Sequence, residues 1–206
     1  SKRKNLTLNL LKTAWPLFFV SASGVIAANS DAIMLGWLQG TYEVGLYTVA
    51  ARIALLTIFF LQVTNSAVAP KIATMFANNK ITELEKLIQR VTGGLFFIGL
   101  FIFVIFILKG EWLLGLWGNE FTDAYWILII LGFGQFINLS TGAVGLLLMM
   151  TGYEKTQGMI SLVFLILNLV LNYILILKFG VIGAAIATSV TLAGENIVKY
   201  YYVNKF

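Results

Sequence analysis

Six apolar stretches separated by short charged segments predict an all-α membrane protein of six transmembrane helices with both termini cytoplasmic. Composition is the first support. The 206 residues are 59% hydrophobic and 11% charged, with a mean hydropathy of +0.89, whereas soluble domains carry about a quarter charged residues. Length is the second. About 20 apolar residues in a helix rising 1.5 Å per residue cross the roughly 30 Å hydrocarbon core, and the runs at about 8–38, 44–70, 91–108, 122–150, 157–177 and 181–203 meet or approach that length. The third support is charge. With the N-terminus inside, the inner segments hold Lys2, Arg3, Lys4, Lys12, Lys71, Lys80, Lys86, Arg90, Lys155, Lys199 and Lys205, while the outer loops hold Lys109 and Lys178 against Glu43, Glu111, Glu120 and Asp123. Lys and Arg collect on the cytoplasmic side of membrane proteins, so this asymmetry sets the topology.

Ser1 to Asn5 form a basic flank, and the apolar run behind them is too long for a signal peptide. The first span is long enough to require tilt or a bend, expected at Pro16 or Gly24. Ser21, Ser23, Asn29 and Ser30 make it wetter than its neighbours. A turn at Gln39 to Glu43 leads to the second span, which carries Gln62, Thr64 and Asn65. Ile81, Leu84, Ile88 and Val91 recur at helical spacing, and Thr82 with Glu85 fits a capping box, so a surface helix is expected ahead of the third span. Phe96, Phe97, Phe101, Phe103 and Phe106 make that span the greasiest, and it is expected to face lipid. Tryptophans at 112 and 117 suit a headgroup-level loop. The fourth span carries Gln135 and Asn138, with Gly132, Gly134, Gly142 and Gly145 allowing bends or close packing. Asn168 and Asn172 share one face of the fifth span; Gly183 and Ala187 form a small-xxx-small pair in the sixth.

Inventory excludes several chemistries. Without cysteine or histidine there is no disulfide framework, thiolate site, His-based metal site or Ser-His-Asp triad. No residue set supports bond making or breaking, so the chain reads as a non-enzyme without metal or cofactor. The net charge of +5 reads as topology rather than as a nucleic-acid footprint. A chain opening at Ser1 instead of Met reads as a fragment of something longer.

The chemically loaded residues are Asp31 and Arg52. Each lies roughly 12 to 14 Å from the expected turn along its helix, which buries both at similar depth in the outer half of the membrane. A charge near the bilayer centre costs about 2.5 to 3.5 kcal/mol even on insertion scales, so it is paired, lines a cavity, or both. Two readings follow. Arg52 contacts an anionic substrate while Asp31 orients it or carries a coupling proton, or the two form a structural ion pair pinning the first spans together. Asn29, Gln62, Asn65, Gln135, Asn138, Asn168 and Asn172 are available to line the same wet groove. The plainer reading of the last two is interhelical hydrogen bonding. Glu195 and Lys199 suit a local helix pair, with proton coupling at Glu195 as the alternative. The Lys80 to Arg90 cluster reads as a solvated face that signals topology, with anionic lipid or a synthase partner as the other choice.

The string from Asp31 to Ala54, followed by AVAPKIA, resembles the start of the carboxy-terminal lobe in polysaccharide flippases of the O-antigen and exopolysaccharide type, within the multidrug/oligosaccharidyl-lipid/polysaccharide exporter superfamily. The LWGNEFTDAYWILIILGFGQFIN, MTGYEKTQ and FGVIGAAIATSV segments fit the same pattern in order. That resemblance implies one six-helix lobe of a two-lobe alternating-access transporter, a lipid-linked oligosaccharide substrate moved from the inner to the outer leaflet of the cytoplasmic membrane, and a missing amino-terminal lobe or homo-oligomer partner. In such a site Arg52 would meet phosphate oxygens through its planar fork of donors. Rival readings are a multidrug exporter of the same superfamily and a non-transporting membrane subunit of a polysaccharide synthesis complex. A membrane-embedded transferase lacks its acid/base equipment here.

Overall fold

The computed structural model describes residues 29–203, which are helical almost throughout. Expectations placed on residues 1–28 and 204–206, among them the basic flank, the bend at Pro16 or Gly24 and the hydroxyls of Ser21 and Ser23, lie outside the described residues. Helix α1 covers residues 29–38 and closes at Gly40, whose amide and that of Gln39 both donate to Leu35 O. The turn is tighter than expected, because α2 begins at Thr41.

α2 spans Thr41–Ala77, passing through Pro70 without a break. Thr74 Oγ1 donates 2.8 Å to the Pro70 carbonyl. α2 ends where Asn79 takes a left-handed conformation (φ 55°) and the amides of Asn79 and Lys80 close back on Phe76 O and Met75 O. α3 then starts at once, running Ile81–Gly115 as one helix. The expected surface helix and third span are therefore continuous, and Thr82 with Glu85 forms no capping box. Lys80 occupies the cap position, makes no side-chain cap and pairs instead with Glu83 at 3.0 Å.

The phenylalanines of α3 divide by face. Phe97 and Phe101 are about 70% exposed, as a lipid-facing helix requires. Phe106 is buried over Gly132, and Phe96 and Phe103 lie against Phe133 and Phe136 of the next helix. A short 3-10 turn, Asn119–Ala124, leads into α4, Tyr125–Ser140. Tyr42 Oη donates to Asp123 Oδ2 at 3.2 Å and ties this turn to the start of α2. α4 stops at Thr141, and the short helix α5, Val144–Met150, continues beyond Gly142. Gly142 has φ 69°, and Thr92 Oγ1 of α3 occupies the place a Cβ would take, so this break needs glycine on two counts.

The last helical stretch, Glu154–Val203, is two helices meeting at Gly180 (φ 59°, ψ −139°); α6 denotes 154–179 and α7 denotes 181–203. They fold back on each other as an antiparallel hairpin. Hydrophobic collapse does not drive helices together in lipid, so close packing of small residues takes that role. Ala184, Ala185 and Ala187 are fully buried, Gly134 of α4 lies against the Ser189 backbone, and a Cβ on Gly183 would overlap the Leu175 carbonyl of α6. α4 packs on α2, α3 and α7 and so holds the bundle's centre. One apolar cluster, including Leu35, Ile53, Leu128 and Ile176, fills the outer part; a second, of Val68, Ile72, Leu84 and Leu147, fills the inner part.

The Gly183 contact yields a test. Gly183→Ala is expected to destabilise the protein by about 1–3 kcal/mol through overpacking, read as thermal unfolding in detergent. Gly94→Ala, in a position with nothing within 4 Å, should be neutral or stabilise by up to about 1 kcal/mol through helix propensity. Equal shifts in the two variants would mean that the α6 and α7 backbones are not in contact.

Candidate functional site

An ionised carboxylate accepts hydrogen bonds and donates none, so burying one in an apolar bundle demands several aligned donors. Asp31 is 6% exposed and has three. Tyr47 Oη of α2 and Thr188 Oγ1 of α7 both donate to Oδ2, the latter at 2.7 Å, and Asn172 Nδ2 of α6 donates to Oδ1 at 2.7 Å. The four side chains come from four helices at matched depth. Asn172 and Thr188 each lie about eight residues from Gly180, or roughly 12 Å along their helices, and Asp31 lies a similar distance before Gly40.

The network extends inward along the hairpin. Asn172 Nδ2 also reaches Asn168 Oδ1 at 3.1 Å, and Asn168 Nδ2 donates to Thr191 Oγ1 at 3.1 Å. The interhelical role expected of the two asparagines is what they perform. Farther in, Lys199 Nζ meets Glu195 Oε1 at 2.6 Å, and Ser161 Oγ of α6 donates to the same oxygen at 2.7 Å. The Glu195–Lys199 pair is therefore local, as expected, and is also tied across the hairpin.

The expected Asp31–Arg52 pair does not form. Arg52 is exposed, and among the described residues Asp31 makes no ion pair. Distance from the turn fixes a residue's height and says nothing of its azimuth. Arg52 follows Tyr47 by five positions, about 140° around a helix of 3.6 residues per turn, so with Tyr47 aimed at Asp31 the guanidinium points away. It lies on an uncovered stripe of α2 with Leu56, Phe59 and Val63.

The other candidate amides separate as well, so no single groove unites them. Gln62 is exposed. Asn29 is exposed at the start of the described residues. Asn65 is half-buried, and its Oδ1 has no partner. Gln135 and Asn138 are buried and bonded to each other, Nδ2 to Oε1 at 3.2 Å, one turn apart on α4. Two cavities of about 380 and 340 Å³, one at the outer end of α3 around Trp112 and Tyr125 and one among Phe103, Phe133 and Val190, include none of these residues. The sequence reading missed Tyr47, Thr188, Thr191 and Ser161. Their signal was present: Thr188, Thr191, Glu195 and Lys199 recur every three or four residues, a polar stripe in an otherwise apolar helix.

These two arrangements predict opposite coupling energies. In a double-mutant cycle read by unfolding in detergent, Asp31→Leu and Asn172→Leu are expected to couple by at least about 0.5 kcal/mol, whereas Asp31→Leu and Arg52→Leu should add within about 0.5 kcal/mol. Strong coupling to Arg52 with none to Asn172 would overturn the site as drawn.

Residues 1–76 match the family model of polysaccharide biosynthesis proteins. Over 191 residues the chain is 30% identical to the capsular polysaccharide biosynthesis protein CapF of Staphylococcus aureus, covering 92% of this chain and 48% of that protein. It is 27% identical over 187 residues to the probable low-salt glycan biosynthesis flippase Agl15 of Haloferax volcanii, covering 90% and 40%. The chain thus spans about half the length, or less, of these relatives. A solved transporter of the multidrug/oligosaccharidyl-lipid/polysaccharide superfamily from Pyrococcus furiosus superposes with a TM-score of 0.72 at 21% identity, over 91% of this chain and 42% of that one. The chain is a multi-pass helical membrane protein, related to the polysaccharide biosynthesis proteins and glycan flippases that its sequence motifs resemble, and its fold is that of part of a transporter of this superfamily.

Proposed function

We propose that residues 1–206 form a single six-span lobe of a flippase that carries a lipid-linked oligosaccharide, the precursor of a polysaccharide, from the inner to the outer leaflet of the cytoplasmic membrane. The observation that carries this reading is the likeness to a probable glycan flippase along 90% of the chain. The geometry of α2 supports it. Arg52 sits about eleven residues, or roughly 16 Å, along a helix that enters from the outer side, flanked by exposed Leu55 and Leu56. A guanidinium at that depth is costly against lipid and belongs beside water or another protein surface. A second lobe, either the rest of a longer chain or another copy of this one, would turn the uncovered stripe into a cavity wall with Arg52 facing the diphosphate of the cargo.

In this reading the work divides between two places. Arg52, with Gln62 and Asn29 on exposed positions, meets the hydrated anionic head. Asp31, held by Tyr47, Asn172 and Thr188, senses charge or proton occupancy where four helices join, and Glu195 is the second titratable group available for coupling. Gln135, Asn138 and Asn65 tie the bundle together or line the path when it opens. No bond is made or broken, and the lipid-linked sugar and membrane lipids are the partners.

The test is export of the precursor in cells that depend on the protein. A charge-assisted hydrogen bond contributes about 1.5–3 kcal/mol, so Arg52→Ala should slow export about tenfold or more at unchanged membrane levels. Arg52→Lys should retain part of the activity, since it keeps the charge and loses the fork. Export at the wild-type rate in Arg52→Ala would remove the anion-contact role, and efflux of cationic dyes without any effect on precursor would favour the drug-exporter reading.

A further inference from the structure

The hairpin of α6 and α7 carries its side-chain hydrogen bonds along one seam. Asn172 and Thr188, which meet through the two oxygens of Asp31, then Asn168 with Thr191, and Ser161 with Glu195 follow one another at intervals of three, four or seven residues. From Asn172 to Ser161 the seam covers about 11 residues, roughly 16 Å. It therefore links the Asp31 network to the Glu195–Lys199 cluster near the inner end, apart from one gap. At the gap Phe164 lies against Gly194, with its Cε1 2.8 Å from where a Cβ would stand. Any larger residue at 194 would push the ring aside.

Hydrogen-bond capacity is left over on both sides of that ring. Asn172 Oδ1 on the outer side and Gln157 Oε1 on the inner side are buried without a donor, whereas buried polar atoms are nearly always satisfied by protein or water. Lys199 is 7% exposed and has three N–H donors, one of which goes to Glu195. Hydrogen bonding across helices accounts for the paired polar groups of the hairpin, but not for the acceptors left without a donor nor for the spare donors of Lys199.

We infer that the α6–α7 seam is the route by which water and protons reach Asp31 from the cytoplasmic side, with Phe164 as the removable barrier; the use of this route in coupling rests on the role proposed above for Asp31. When the ring swings off Gly194, water bonded to Asn168, Thr191, Ser161 and Gln157 bridges the gap. A proton leaving the Asp31 carboxyl passes through that water to the Glu195 carboxylate and then to the inner solution. The amides orient the water and carry no proton themselves. Among the described residues, the group facing Asp31 from α2 is Tyr47, those from α6 and α7 are the uncharged Asn172 and Thr188, and Arg52 points away.

The chain has no cysteine, so single reporters can be read in native membranes. Ser161→Cys and Thr191→Cys are exposed to a small, charged, membrane-impermeant thiol reagent on inside-out and right-side-out vesicles, with Phe164 intact or replaced. Ser161→Cys should react from the cytoplasmic face, and Thr191→Cys about tenfold more slowly, a barrier of about 1.4 kcal/mol. Phe164→Ala should erase that difference from the cytoplasmic face alone, and Phe164→Leu, which keeps bulk, should preserve it. An unchanged Thr191→Cys rate in Phe164→Ala, or equal labelling from the outer face, overturns the route. A Phe164→Ala variant that also accelerates Ser161→Cys has loosened the hairpin as a whole, which overturns Phe164 as a local barrier. These rates need no transport, whereas wild-type, equally pH-dependent export in Asp31→Asn would remove the coupling role of Asp31 and leave the labelling to decide the route.

Discussion

The helical bundle depends on the cost of holding one carboxylate away from water. Asp31 sits inside an apolar bundle, and three donors from three other helices make that burial tolerable. Because the donors are a short-reaching hydroxyl, an amide and a phenol, α1, α2, α6 and α7 must each stand at one height and one rotation. A register slip in any of them would leave a buried charge with an empty lone pair. The interaction therefore selects an arrangement of helices more than it adds stability. It also places a group of variable charge at the joint where the first two helices meet the last two.

Around that joint the packing follows the rules of lipid. Close approach comes from glycine and alanine on α3, α4 and α7, and many large apolar side chains, Phe97 and Phe101 among them, point outward. The uncovered side of α2 breaks this pattern by placing a guanidinium among leucines and phenylalanines. In the proposed reading a second lobe covers this side.

Much of the fold could be read in the sequence because a bilayer constrains chemistry so strongly. Runs of apolar residues exposed the helices, and Asp31 stood out as an acid in an uncharged run. Boundaries were less legible. α2 and α3 continue past the apolar runs because nothing in their polar ends stops a helix until Asn79 turns left-handed, and that same residue displaces the start signal at Thr82. The pairing of Asp31 with Arg52 failed for a geometric reason: residue counting measures depth along an axis, and the 140° between Tyr47 and Arg52 decides which one meets the acid. Gly142 showed itself only as a glycine, since the atom that forbids a side chain there belongs to Thr92, fifty residues earlier.

The interruption between α4 and α5 has a mechanical meaning. α3 is helical without a break from the outer apolar cluster to the inner one, and α2 loses only the bond that Pro70 cannot donate, so both act as stiff rods that pass a displacement along their length. The α4–α5 wall is jointed at Thr141–Ala143, between those two clusters. Bending at this joint changes the angle between α4 and α5 without requiring the helices beside it to bend.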